Sequence, residues 1–331
     1  MIRNLCINVL ASTVFCLWCS TAFADLKRLE AELVRISQTA KGTVGIGIQH
    51  IESKRTLLLH GEDTFPMAST YKIPMAVQLM TLVDHGDLDL DALYTVTNED
   101  RKLTHSVISD DILAGSKLTW RNLMQLMLQH SDNVATDIVL RRAGGPQAVA
   151  RRMQELGLEM RIDRPTWELI LDFVGEHEGE QPAISRDEHD ARLKRALEAD
   201  LSDEMVAFEK DPRDQSTPDA MLKLLVGLWN AEYLTRSSAD TIVDMMWGTK
   251  TGAGRIKGAL PAGTRVAHKT GTAGRTTNDA GIMELPDGRG HVAVVIFIKE
   301  SKIENYVDRE PVIAQLSRTI YDYFLFVDAN Q

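Results

Sequence analysis

The sequence predicts an α+β fold, with an antiparallel sheet formed by the N- and C-terminal segments, flanking helices, and a helical lobe between them. Three observations carry that expectation. Strand-like alternation appears near the start, at Thr43–Ile51, and again near the end, at Val266–His268, Ala280–Leu285 and His291–Ile298. Between Met67 and Met246 the apolar residues recur at helical spacing instead. No internal repeat is evident, and strands at both ends around a helical middle give a sheet built from distant chain segments.

The elements follow in order. Leu26 to Thr39 repeats Leu26, Leu29, Leu33 and Ile36, a helix face. Thr43–Ile51 is a strand with Arg55–His60 as its hairpin partner. Met67 to His85 is a helix stopped by Gly86. Four helical stretches follow between Leu118 and Met160, broken at Gly144-Gly145 and Gly157, and two more cover Pro218–Thr235 and Ala239–Met246. Pro286-Asp287-Gly288 turns the chain between the last two strands, and Val312 to Phe326 closes it as a helix. The expected layout is one domain over 25–331, with a sheet lobe at about 25–65 and 250–331 and a helical lobe at about 69–249.

Residues 1–24 read as an export signal rather than as part of the fold. Arg3 supplies a basic start, an apolar run extends from Leu5 to Trp18, and Ala22-Phe23-Ala24 offers the small residues of a cleavage site. The run is too short to span a bilayer, and no later segment is long enough, so no stable membrane anchor is expected. Cys6, Cys16 and Cys19 are the only cysteines and all lie in the signal, which excludes disulfides, thiol catalysis and cysteine-bound metal from the processed chain. The net charge of −10 argues against nucleic acid as a partner, because phosphate binding needs clustered Lys and Arg. The expected location is periplasmic or secreted, as a monomer.

Three short motifs carry the chemistry. Ser69-Thr70-Tyr71-Lys72 is the only Ser-x-x-Lys in the chain; at a helix start it puts hydroxyl and ammonium on one face, one turn apart. A neighbouring amine lowers the cost of forming a serine alkoxide. Ser131-Asp132-Asn133 follows the apolar run Leu123–His130, and these residue types also favour a helix N-cap. Lys-Thr-Gly occurs twice, at Lys250-Thr251-Gly252 and at Lys269-Thr270-Gly271. The first copy sits among glycines and reads as a loop. The second continues the strand through Val266-Ala267, where a lysine and a threonine can hold a carboxylate and glycine leaves room for substrate. The second copy is the one assigned to the site.

Taken in order, these motifs resemble those of the serine penicillin-recognising enzymes, and among them the class A β-lactamases. The resemblance extends through Phe65-Pro66-Met67, Asn133-Val134-Ala135, Asp163-Arg164, Asp211-Pro212-Arg213-Asp214 and Thr276-Thr277-Asn278-Asp279, nearly the whole chain after the signal. It implies a β-lactamase/transpeptidase-like fold and a small-molecule β-lactam substrate, with no cofactor and no metal. It also implies roles: Ser69 as acylated nucleophile, Lys72 as the group that helps remove its proton, and Ser131 as proton donor to the leaving nitrogen. Asn133 would bind the substrate side-chain amide, and Lys269 and Thr270 its carboxylate. The backbone N–H groups of Ser69 and Thr272 would form the oxyanion hole.

Two departures from the family pattern stand out. Class A enzymes activate the deacylating water with a Glu placed soon after Asp-Arg, in the form Glu-x-x-Leu-Asn. Counted without a gap from Asp163-Arg164, that position is Thr166. With two extra residues, Glu168-Leu169-Ile170-Leu171-Asp172 restores Glu and Leu together, with Asp172 for Asn, and this alignment makes Glu168 the base. The second departure is an acidic insertion over about 173–210, with eleven acidic and five basic residues between Phe173 and Lys210. Ser185 and Glu188 make a capping-box pair, and Leu193, Leu197, Leu201, Met205 and Phe208 recur as one face of a helix packed on the body. His177 and His189 sit on what reads as a solvated acidic face rather than a metal site. The competing reading of the whole chain is a D-alanyl-D-alanine carboxypeptidase or penicillin-binding protein, which acylates alike and deacylates slowly.

Overall fold

The computed structural model describes residues 26–102, 106–173, 191 and 203–327. Residues 1–24, expected to be a signal cleaved near Ala24, and His177 and His189 lie outside the described residues. Nine strands are described: β1 (Thr43–His50), β2 (Thr56–Leu59), β3 (Phe65–Pro66), β4 (Leu93–Thr95), β5 (Lys117–Thr119), β6 (Gln215–Ser216), β7 (Val266–Ala273), β8 (Thr276–Glu284) and β9 (His291–Lys299). A five-stranded sheet runs in the order β2-β1-β9-β8-β7, and every pair in it is antiparallel. The early hairpin therefore docks on the last strand, as the sequence required.

The side chains of β9 show why the sheet is flanked by helices. Seven successive residues, Val292 to Ile298, are buried, so the strand is apolar on both faces. Ala293, Val295 and Phe297 join one core with the helices of the middle of the chain. Val292, Val294, Ile296 and Ile298 join a second core with Leu33, Ile313 and Phe324 from the terminal helices. Period-two alternation thus sends neighbouring residues into two different cores, each large aliphatic contributing about 1.5–3 kcal/mol by burial.

The helices, in chain order, are α1 (residues 26–37), α2 (Lys72–Asp84), α3 (Val107–Asp111), α4 (Trp120–Gln129), α5 (Asn133–Arg142), α6 (Pro146–Glu155), α7 (Thr166–Phe173), α8 (Asp203–Lys210), α9 (Pro218–Trp229), α10 (Arg236–Trp247) and α11 (Tyr306–Val327). Between Leu118 and Met160 there are three helices rather than the four expected. The helix expected from Met67 begins instead as a 3-10 turn, Ala68–Tyr71, before α2 takes over at Lys72. β7 and β8 run further than alternation suggested and include all of Lys269–Thr272 and Thr276–Asp279. Their polar residues are buried by neighbours from distant chain segments, which alternation cannot register.

The end of the acidic insertion is visible as α8. Phe208 is buried there, and the Arg164 guanidinium lies 5.8 Å from its ring centroid. Glu209 pairs with Arg275. The helical expectation thus holds for this stretch, and Leu193 to Leu201 fall outside the described residues. Just beyond α8, Arg164 joins Asp214 at 2.6 Å, Asp172 at 2.6 Å and Asp211 at 3.3 Å, while Arg213 joins Asp172 and Asp211. This ion-pair cluster ties the two ends of the inserted segment together, so α7 stays on the body.

Candidate active site

Ser69 lies in the 3-10 turn that leads into α2. It is the one residue from Phe65 to Val77 that is not buried. The residue before it, Ala68, has φ of +45°, a left-handed conformation that costs a non-glycine residue about 1–3 kcal/mol. Asn278 on β8 holds this strained segment in place, donating to the carbonyls of Pro66 at 2.8 Å and Met67 at 3.2 Å.

Lys72 and Lys269 converge on one hydroxyl. Lys72 Nζ donates to Ser131 Oγ at 3.1 Å, to the Ser131 carbonyl at 2.7 Å and to Asn133 Oδ1 at 2.9 Å. Lys269 Nζ donates to the same Ser131 Oγ at 2.9 Å and to the Thr270 carbonyl at 2.9 Å. Ser131 presents its hydroxyl from a second left-handed position, φ +59°. Asp132 faces the other way: it caps α5 through the Ala135 N–H at 2.7 Å and accepts from Ser106 Oγ at 2.7 Å. The N-cap role that its residue type suggested is therefore real, and it aims Ser131 and Asn133 at the site.

Burial controls the charge of both lysines. Desolvation lowers the Lys72 ammonium to about 7, against the opposing pull of Asp132 and Asp137. Lys269, also buried, falls well below the ordinary range by desolvation and by the nearby Lys72 charge. A lysine that titrates near neutrality can serve as a base, which an ordinary exposed lysine cannot.

β7 is the edge strand of the sheet and forms the opposite wall. Gly271 also permits a close approach within the protein. A Cβ there would lie 2.6 Å from the Met67 carbonyl, so the glycine admits the nucleophile segment beside β7. Thr270 is buried and its hydroxyl lies 2.7 Å from that of Thr251. Thr272 is half-buried, and its hydroxyl accepts from Arg255 at 2.6 Å.

The third wall is the N-terminal turn of α7. Asp137 on α5 accepts from the backbone N–H of Thr166 at 2.7 Å and of Trp167 at 3.1 Å, and the Thr166 hydroxyl bonds to that of Tyr71. Burial raises the Asp137 carboxyl to about 6, although the two N–H donors pull the other way. Glu168 is half-buried in the same first turn, about 200° around the helix axis from Thr166. Asp172, at the Asn position of the Glu-x-x-Leu-Asn pattern, ends α7 in an ion-pair cluster. Its carboxylate is engaged by Arg164 and Arg213, a tertiary contact that the local Glu-x-x-Leu pattern could not reveal.

Sequence reasoning missed Asp137, Thr251 and Arg255. Asp137 stands four residues after Asn133 on α5, so helical spacing could have flagged it. Thr251 and Arg255 sit in an aperiodic loop whose approach to β7 leaves no trace in spacing.

A sheet of this topology, with a serine that follows a strained residue and precedes a desolvated lysine by one turn, and a second serine bridged to a strand-edge lysine, defines a serine enzyme of the penicillin-recognising class. Residues 27–324 match the β-lactamase enzyme family, and the chain belongs to that family. Among curated relatives, it is 31% identical to the extended-spectrum β-lactamase PER-1 of Pseudomonas aeruginosa, over 92% of this chain and 90% of that one. It is 28% identical to β-lactamase VEB-1 of the same organism, over 96% of both. Among solved structures, a β-lactamase from Chitinophaga pinensis superposes with a TM-score of 0.72 at 31% identity, covering 89% of this chain and 98% of that one. TLA-3 extended-spectrum β-lactamase superposes at 0.74 with 26% identity, over 90% and 99%.

Proposed function

We propose that the protein hydrolyses β-lactams through an acyl-enzyme on Ser69. The observation that carries this reading is the Ser131 hydroxyl bridged to Lys72 and Lys269. Neutral Lys72 takes the Ser69 proton, and Ser69 Oγ forms a bond to the β-lactam carbonyl carbon. The C–N bond then breaks as Ser131 delivers a proton to the ring nitrogen, and Lys72 reprotonates Ser131 through their hydrogen bond. Lys269 and Thr270 hold the substrate carboxylate, Asn133 its side-chain amide, and the N–H groups of Ser69 and Thr272 the oxyanion. Gly271 contributes by letting β7 approach Ser69. Water activated by Glu168 then cleaves the ester and returns Ser69.

One observation favours a second reading for deacylation. Thr166, not Glu168, meets Tyr71 and Asp137 beside Lys72. If Thr166 fills the place of the family's base, the acyl-enzyme persists and the protein behaves as a D-alanyl-D-alanine carboxypeptidase. Steady-state turnover of a chromogenic cephalosporin separates them: sustained turnover supports the β-lactamase, and a burst of one product per enzyme followed by a stall supports the peptidase.

The leader composition supports export, with cleavage near Ala24 and a periplasmic or secreted product. Among the described residues no helix is long and apolar enough to cross a membrane.

A further inference from the structure

The loop Thr249–Arg255, which carries the earlier Lys-Thr-Gly copy, runs along the open edge of β7 and is fastened to it by side chains. Thr249 Oγ1 donates to the His268 carbonyl at 2.5 Å. The Thr251 and Thr270 hydroxyls lie 2.7 Å apart. Arg255 donates to the Gly271 carbonyl at 2.9 Å and to Thr272 Oγ1 at 2.6 Å. The loop thus touches β7 at 268, 270, 271 and 272, the part of the strand that faces the nucleophile turn.

Thr270 is pinned from two directions. Gly252, with φ of +69°, packs so closely that a Cβ there would collide with the Thr270 methyl group. On the other branch the hydroxyl meets Thr251. Two threonine hydroxyls carry two protons between them, and their mutual bond uses one. The second proton is left to point outward, and whichever hydroxyl accepts the bond becomes the better donor to a third group.

Charge alone does not explain recognition of an anion on this strand. The Lys269 ammonium is fully buried and already donates to Ser131 Oγ and to the Thr270 carbonyl. Arg255 commits its Nε to Glu310, its Nη1 to the Gly271 and Asn278 carbonyls and its Nη2 to Thr272, which is four of a guanidinium's five donors. That leaves one N–H on each cation, and the Thr251–Thr270 hydroxyl pair adds a neutral donor beside them on β7.

We propose that Thr251 is a positioning and specificity residue: its hydroxyl donates to Thr270, so that the Thr270 proton points at the carboxylate of the substrate. This rests on the β-lactamase reading above, in which Thr270 meets that carboxylate. The earlier Lys-Thr-Gly is then the outer half of a two-threonine anion clip, with Gly252 supplying the close fit and exposed Lys250 taking no part.

The test compares wild type, Thr251→Val and Thr251→Ser on a chromogenic cephalosporin and on its methyl ester, with melting temperature as a control for folding. Valine keeps the shape and removes the hydroxyl. Thr251→Val is expected to raise KM for the free acid about tenfold with kcat within about twofold, the pattern of a lost binding contact to a charged group. The ester, which has no anion to lose, should change less than about twofold, and Thr251→Ser should restore the acid's KM. If Thr251→Val folds poorly, Thr251→Ala is read in its place. The inference is overturned if KM for the acid is unchanged, if acid and ester lose equally, or if serine fails to rescue. If wild type gives no adduct at Ser69 by mass spectrometry, the β-lactamase reading itself fails and the inference falls with it; an adduct at Ser69 without a Thr251 effect sinks the inference alone.

Discussion

The Lys269 ammonium donates to the Ser131 hydroxyl at 2.9 Å across 138 positions of sequence. Lys72 approaches the same oxygen at 3.1 Å, so the hydroxyl links the nucleophile helix to the sheet edge. Lys269→Ala removes both that link and the side chain proposed to hold the substrate carboxylate. It should lower kcat/KM by about 2–4 kcal/mol in transition-state terms, as expected for a charged partner. Lys250→Ala, at an exposed side chain, should stay within about threefold. Equal losses from both would contradict the assignment.

Lys72, lowered by burial to about 7, sets a pH limb. If its neutral form is the base, kcat/KM for acylation rises as pH increases through about 7. Asp137 favours the ammonium form, so Asp137→Asn should shift this limb to lower pH. A shift to higher pH in the measured pH–rate profile would contradict the electrostatic account. Stability follows the same group. Its folded value lies below the ordinary lysine value of 10.5, so the folded state binds fewer protons between about 7 and 10.5. The Lys72 contribution to stability therefore increases as pH rises through that window.

The Arg164 cluster should be expensive to break. Arg164 is buried and meets three carboxylates, Asp172, Asp211 and Asp214. Arg164→Ala leaves those charges partly uncompensated and should cost about 3–5 kcal/mol in denaturant unfolding. Asp172→Asn should cost less, about 1–2 kcal/mol, because Asp211 and Asp214 still hold both arginines. A loss of deacylation without a loss of stability in Asp172→Asn would contradict this structural role.

The two residues of the α7 turn are separable. Glu168→Ala should slow hydrolysis of the acyl-enzyme about a hundredfold or more, the scale of general-base catalysis, with acylation retained. Thr166→Ala removes the partner of the Tyr71 hydroxyl and should cost about 1 kcal/mol of stability, with deacylation nearly unchanged. Stopped acyl-enzyme in Thr166→Ala and normal turnover in Glu168→Ala would reverse the assignment.

What could be read from the sequence follows from how each feature is encoded. Ser69 and Lys72 are local: three residues apart at a helix start, they must share a face. The alternating strands at both chain ends likewise forced a long-range antiparallel sheet. Ser131 and Lys269 belong together only through tertiary structure, and motif resemblance rather than spacing joined them. The ion pairs of Asp172 are invisible in the local pattern, because Arg164 and Arg213 reach it through tertiary structure. Thr251 reads as a loop residue and lies in a loop; what spacing cannot show is the edge of β7 lying 2.7 Å away, hydroxyl to hydroxyl.

The central claim is covalent, so mass tests it most directly. Glu168→Ala is incubated with a penicillin, freed of excess substrate and digested, and the peptides are weighed beside those of wild type and Ser69→Ala. The account predicts a penicilloyl mass on the peptide containing Ser69, persistent in Glu168→Ala, short-lived in wild type and absent in Ser69→Ala. An adduct on any other peptide, or wild-type turnover that survives Ser69→Ala, would contradict it.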